Sequence, residues 1–206
     1  MYEIINVLHL IKNLVDEASC YVPYEEIKGR PPKDPADKAK AVLLQQYLQT
    51  SNRVTAGFVR LFRKNLDIRS TITHKDLERA YDNIDVQLIV EKAFQLTNEP
   101  VKDKEKDFSI DGTGLETSIK QNYANDKDKP KKDWEKAICV TGNVYKLITA
   151  MEIADAHSNE CPFLIPLLKD TMKIYKELNI LAADPAYLSR DNCDFIASYG
   201  GIPRTT

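Results

Sequence analysis

Residues Phe108 to Leu115 read FSIDGTGL, and the fold of the second half of the chain is decided there. Phe108 and Ile110 alternate with polar neighbours, the two-residue period of a half-buried strand. The run leads straight into Asp111, and Gly112 and Gly114 follow at once. A pleated strand fixes the direction of each side chain, and small neighbours let a bulky phosphate come close. About seventy residues on, the apolar run Ile180-Leu181-Ala182-Ala183 likewise ends in a single acid, Asp184. Two such strands side by side would set two carboxylates at one sheet edge. That arrangement can hold a pair of divalent cations about 3.5–4 Å apart, as two-metal phosphoryl transfer needs.

Outward from these two strands, the bulk composition sets limits. The chain has 206 residues and is 43% apolar, which suits one or two domains with cores of their own. The net charge of −2 provides no global basic field. From Lys28 to Arg79, however, twelve Lys or Arg stand against five Asp or Glu, while the remainder is acidic. A DNA-gripping part joined to a metal-binding part has this charge layout, and so does a plain solvated helical surface. Cys20, Cys139, Cys161 and Cys193 are too widely spaced for a zinc motif, and no secretory signal precedes them. Reduced thiols in a cytoplasmic protein are expected. No apolar run approaches the roughly eighteen residues of a membrane span.

The first hundred residues read as helices. Tyr2 to Ala18 places Ile4, Leu8, Ile11 and Val15 on one stripe. Tyr21 to Pro35 is rich in proline, and its basic Lys28-Gly29-Arg30 is suited either to a phosphate backbone or to a simple connector. Asp34 and Pro35 start a second helix to about Gln49, with Val42, Leu43 and Tyr47 facing inward. Ser51 starts a third to about Lys64, with Val54, Phe58, Leu61 and Phe62 as its buried stripe and Arg53, Arg60, Arg63 and Lys64 on other faces. Thr73 and Asp76 resemble a capping box for a short helix to Tyr81, leaving His74, Lys75 and Arg79 outward. A further helix runs from Asp85 to Leu96. The third and fourth helices suit either a helix-turn-helix, the fourth entering the major groove, or a packing and dimerisation bundle.

The highly charged Asn98–Asp107 marks the expected boundary, giving a helical domain over 1–100 and a second domain over 107–206. There a strand runs from about Asp107 to Asp111 and continues past Gly114 into a second edge segment, Leu115 to Ile119. Asn122 to Asp133 reads as an exposed loop in which Asp126 and Asp128 are solvated charges. Ala137 to Val140 and Val144 to Ile153 read as a hairpin, with Asp155 at its end as a rival ligand. A helix to Leu178, the strand to Asp184, a helix capped by Ser189 and closed by Gly200-Gly201, and a last strand from Ile202 complete the order. This is an α+β order, a mixed sheet with flanking helices.

The two acidic runs resemble the first and second acidic motifs of insertion-sequence transposases of the DDE type. The matches are Asp111-Gly112-Thr113-Gly114-Leu115 and Ala183-Asp184-Pro185-Ala186-Tyr187-Leu188-Ser189-Arg190-Asp191-Asn192; Gly29-Arg30-Pro31-Pro32 with Asp37-Lys38 is similar to the amino-terminal region of the same family. The resemblance implies a ribonuclease-H-like catalytic domain, Mg²⁺ or Mn²⁺ held by Asp111 and Asp184, and double-stranded DNA at element ends as partner. It implies that water frees a 3′-hydroxyl, which then attacks target DNA. Arg30, Arg53, Arg60, Arg63, Lys64, His74, Lys75 and Arg79 are the DNA-contact candidates. Thr113 is expected to pin Asp111 through the backbone. Tyr187 either stacks on a base or reaches a phosphate, or it covers the helix it precedes.

The family uses a third carboxylate, a Glu downstream, and no Glu follows Glu177 here. The expected domain is therefore an incomplete ribonuclease-H-like sheet, weak in strand transfer alone, acting as a homodimer or with a complementing C-terminal fragment. Two alternatives stand beside the transposase reading: a non-catalytic DNA-binding remnant, and an unrelated metal-dependent nuclease of the same fold.

Overall fold

The computed structural model describes residues 2–23, 33–116 and 134–205. The chain divides into two compact units, Met1–Thr97 and Asn98–Thr206. Arg30, the Lys28-Gly29-Arg30 arm, Asp126 and Asp128 lie outside the described residues.

The first unit is helical, built on α1 (Tyr2–Ser19), α2 (Pro35–Leu48), α3 (Asn52–Leu61), α4 (His74–Ala80) and α5 (Ile84–Asn98). The Ala36 N–H donates to the Asp34 carboxylate at 2.8 Å, so α2 starts where its cap and proline place it. This helix is buried nearly all round, and its polar residues are paired accordingly. Lys40, 3% exposed, meets Asp16 of α1 at 2.6 Å. Asp37 accepts from the backbone N–H groups of Arg69 and Ser70 and from the Ser70 hydroxyl, tying down the chain between α3 and α4. Leu8, Ile11, Val15, Leu44, Val59, Leu77, Val86 and Ile89 fill the space between the helices.

Two helical faces differ from expectation. Tyr47 is half exposed, and Leu44 takes the inward place on α2. On α3 the buried residues are Thr55, Ala56 and Val59, while Val54 and Leu61 are 50% and 70% exposed. Thr55 explains the rotation. Its hydroxyl donates to the Ser51 carbonyl and pairs with the Thr50 hydroxyl, so that side turns inward.

The second unit carries β1 (Asp107–Glu116), β2 (Trp134–Gly142), β3 (Ile148–Asp155), β4 (Ile180–Ala183) and β5 (Ile202–Thr205), with α6 (Leu164–Ile174) and α7 (Arg190–Ser198). The sheet order is β3-β2-β1-β4-β5. The first three strands run antiparallel, and β4 and β5 run parallel to β1. This mixed α+β sheet has the strand order of the ribonuclease-H-like fold. Phe108, Ile110, Val140 and Leu181 point to one face, where Leu164, Leu168 and Ile196 of the two helices cover them. Thr149 and Thr171 join hydroxyls at 2.8 Å between β3 and α6. Met151 and Ile153 stand exposed on the other pleat of β3.

The details also shift here. β1 is one continuous strand as far as Glu116. Residues 143–147 form the hairpin turn, with Lys146 left-handed at φ 58°, so β3 begins only at Ile148. α6 stops at Ile174 because Tyr175 turns extended, and its buried hydroxyl donates to Asn98 at 2.8 Å. Asn98–Asp107 is folded into this unit. Glu105, 1% exposed, accepts from the N–H groups of Val144 and Tyr145 at 3.0 and 2.9 Å. Among the described residues no helix is long and apolar enough to cross a membrane, and all four cysteines are free thiols.

Candidate active site

The register of β1 on β4 builds the site. Ile110 pairs with Ala183, and each is followed by its aspartate. Asp111, midway along β1, and Asp184, just past the end of β4, are therefore neighbours on two adjacent parallel strands, whose axes lie roughly 4.8 Å apart. Ile110 and Ala183 both enter the core, so pleat alternation turns both aspartates to the same side. Both are exposed.

Each carboxylate is anchored by its own backbone. Asp111 Oδ1 accepts from the Gly112 N–H at 2.8 Å. Asp184 caps the 3-10 turn Pro185–Tyr187, its Oδ1 accepting from the Ala186 N–H at 2.8 Å. The anchor of Asp111 is thus the Gly112 N–H, not Thr113. Among the described residues no further hydrogen bond or ion pair engages either carboxylate. One hard oxygen on each remains open, the donor type that Mg²⁺ and Mn²⁺ prefer. Among the described residues no group of three His, Cys, Asp or Glu side chains could hold a metal. Asp155 does not join the pair: it ends the edge strand β3, two strands from β1, and accepts from the His157 N–H.

Three side chains stand behind the aspartates, and only Tyr187 among them carries a sequence signal. Glu160, in the loop before α6, lies against Gly112; a Cβ added there would meet its Oε1 at 3.0 Å. Lys136 of β2 pairs with Glu160 at 2.7 Å, and their side chains are 16% and 21% exposed. The two are distant in sequence and sit in no motif, so their pairing is a product of the fold. Tyr187 is 1% exposed, its ring inside the core. The base-stacking role is therefore closed to it in this arrangement, and the ring covers α7 instead. Burial pushes its pKa up first. The charge of Glu160, which approaches the hydroxyl without the geometry of a hydrogen bond, and the charges of Asp111 and Asp184 push it further. Burial, then the charge of Asp111, likewise raises the pKa of the Cys139 thiol, which sits opposite Asp111 on β2.

The basic candidates of the first unit are on the surface: Arg53, Arg60, Lys64, His74, Lys75 and Arg79 are all exposed. Arg63 is also exposed but committed, its guanidinium donating to the carbonyls of Ile68 and Arg69. The connection from α3 to α4 spans residues 62–73, far longer than a helix-turn-helix turn. Three-residue connections join α2 to α3 (Gln49–Ser51, with Gln49 left-handed at φ 51°) and α4 to α5 (Tyr81–Asn83).

No protein-family model and no curated protein matches the chain. Among solved structures it is similar to the Mos1 transposase paired-end complex with left transposon end, at 10% identity and a TM-score of 0.33 over 87% of this chain. It is also similar to the piggyBac transposase synaptic complex with hairpin DNA, at 13% identity and a TM-score of 0.41 over 97% of this chain. The chain spans 61% of the first of these chains and 47% of the second.

Proposed function

We propose that this chain acts in DNA transposition. Its second unit would hold a divalent cation at Asp111 and Asp184 and break a phosphodiester at the end of a mobile element, while its basic helical unit grips that DNA. The observation that supports this most is the β1–β4 register, which puts two aspartates from separate motifs side by side. The resemblance of the two motifs to those of insertion-sequence transposases implies element ends as the substrate class. Bound Mg²⁺ or Mn²⁺ would activate the attacking oxygen and stabilise the leaving one. The chain's part is to present two carboxylate oxygens, each held by a backbone N–H from Gly112 or Ala186. In the first reaction water adds to phosphorus and the 3′-oxygen leaves as a hydroxyl. In the second that hydroxyl displaces a 3′-oxygen of target DNA.

Calorimetric titration with Mn²⁺ tests the reading. Asp111→Asn and Asp184→Asn keep an oxygen able to accept the same N–H but lose the charge. Each should weaken Mn²⁺ binding at least about tenfold; binding equal to wild type in both variants would refute the metal site. A second reading, DNA binding without catalysis, is favoured by the pair having no third partner among the described residues. It predicts duplex binding unaffected by Asp111→Asn, and no nicking of an element-end duplex in Mn²⁺.

A further inference from the structure

We propose that Arg204 of β5 positions the DNA strand: it holds the phosphate next to the one at Asp111 and Asp184, with the attached nucleotide in the cavity beside it. This rests on the metal-binding reading above. Strand register places the side chain. On β4, Leu181 and Ala183 enter the core, so Ala182 turns to the opposite face of the sheet, the face of Asp111 and Asp184. Arg204 pairs with Ala182 across β4 and β5, and register partners on adjacent strands share a face. It stands two residues before Asp184 along the sheet and one strand aside, roughly 8 Å between backbones. That is within the reach of an arginine side chain.

The charge of Arg204 is uncommitted. The residue is exposed, and among the described residues no hydrogen bond or ion pair engages its guanidinium. A cavity of about 400 Å³ opens between Arg204 and Asp107, with Ile180 and Ala182 as its floor and Asn143 beside Asp107. By register Asp107 lies two strands away, roughly 12 Å between backbones, too far to neutralise the guanidinium. Among the described residues, α6 and α7 both pack on the other face. The side that carries Arg204 and the aspartates is therefore free to take a long ligand.

Two carboxylates repel a phosphodiester, and a cation bound between them draws in only the phosphate it touches. A second fixed positive charge along the sheet sets the register of the strand. A guanidinium is always charged and offers paired N–H donors to phosphate oxygens, which fixes direction as well as position. The cavity has the volume of a small-ligand site. Its apolar floor suits a base, and Asp107 and Asn143 on the far wall offer acceptors to base N–H groups. A nucleotide, anionic at one end and carrying N–H donors at the other, matches this layout.

Fluorescence anisotropy with a labelled duplex bearing a single-stranded 3′ overhang, in Mn²⁺ and in EDTA, tests the inference. In Mn²⁺, Arg204→Ala should weaken binding about tenfold and lower the salt slope by about one counterion. Arg204→Lys should keep the slope and recover only part of the affinity. In EDTA, where nothing draws the strand onto the aspartates, Arg204→Ala should bind as wild type does. Lys173→Ala, on α6 over the other face, should match wild type in both buffers. The melting temperature of Arg204→Ala should stay within about 3 °C of wild type. Undiminished binding by Arg204→Ala in Mn²⁺ would overturn the inference, as would an equal loss in EDTA or a larger drop in melting temperature. If wild type binds Mn²⁺ and Asp111→Asn does not, while Arg204→Ala binds the duplex as wild type does, this inference falls alone. If wild type binds no Mn²⁺, the metal reading falls and takes this inference with it.

Discussion

Replacing Asp76 by asparagine removes one charge at the start of α4, the helix that presents His74, Lys75 and Arg79. Asp76 closes a capping box, its carboxylate accepting from the Thr73 N–H at 2.7 Å while the Asp76 N–H donates back to the Thr73 hydroxyl. Lys33 pairs with the same carboxylate and donates to the Thr71 carbonyl at 2.7 Å. Burial would raise the pKa of Asp76, but the hydrogen bonds from Lys33 and Thr73 and the charge of Lys33 outweigh it. The pKa falls from 3.8 to about 2. At about 1.4 kcal/mol per pKa unit, this corresponds to roughly 2 kcal/mol of stability at neutral pH. Lys33 is 32% exposed, and solvent screening brings the expectation to about 1.5 kcal/mol. The pKa is depressed on folding, so the contribution is present above 3.8 and disappears as pH falls to about 2. Urea unfolding of wild type and Asp76→Asn, followed by far-UV circular dichroism from pH 7 down to pH 2.5, measures this. The gap between them should stay near its full size to about pH 5 and close progressively below pH 4. A gap that persists undiminished at pH 2.5, or none at pH 7, would refute the electrostatic account of this cap.

Gly201→Ala should destabilise the second unit by about 1–3 kcal/mol, because its Cβ would meet Leu178 at 2.6 Å and Ile196 at 3.1 Å; a thermal melt reads the loss. Arg63→Ala should lower the stability of the helical unit by about 1 kcal/mol, since its guanidinium holds the carbonyls of Ile68 and Arg69. Arg60→Ala, on an exposed side chain, should leave the melting temperature unchanged. It should reduce the salt dependence of duplex binding by about one counterion if it contacts phosphate. Fluorescence anisotropy across a salt series separates the two arginines.

Much of the local structure is written in short stretches. Asp34 with Pro35, Thr73 with Asp76, and Ser189 each set a helix start, because a cap acts within three residues of itself. Phe108 and Ile110 mark a strand by alternation alone, and the second acidic motif shows its aspartate where β4 ends; Asp111 instead lies midway along β1, which runs on to Glu116. Tertiary structure decided what those residues meet. Thr55 and Ala56, not Val54 and Leu61, turn inward on α3, because the side chain of Thr55 finds hydroxyl and carbonyl partners there. The β1–β4 register, closed over about seventy residues of intervening chain, made Asp111 and Asp184 neighbours. The same closure set Lys136 against Glu160 and buried Tyr187 beside them. Periodicity and capping report forces within a turn or a pleat. Which face is buried, and which charges face each other, depends on side chains that only the folded backbone brings within reach.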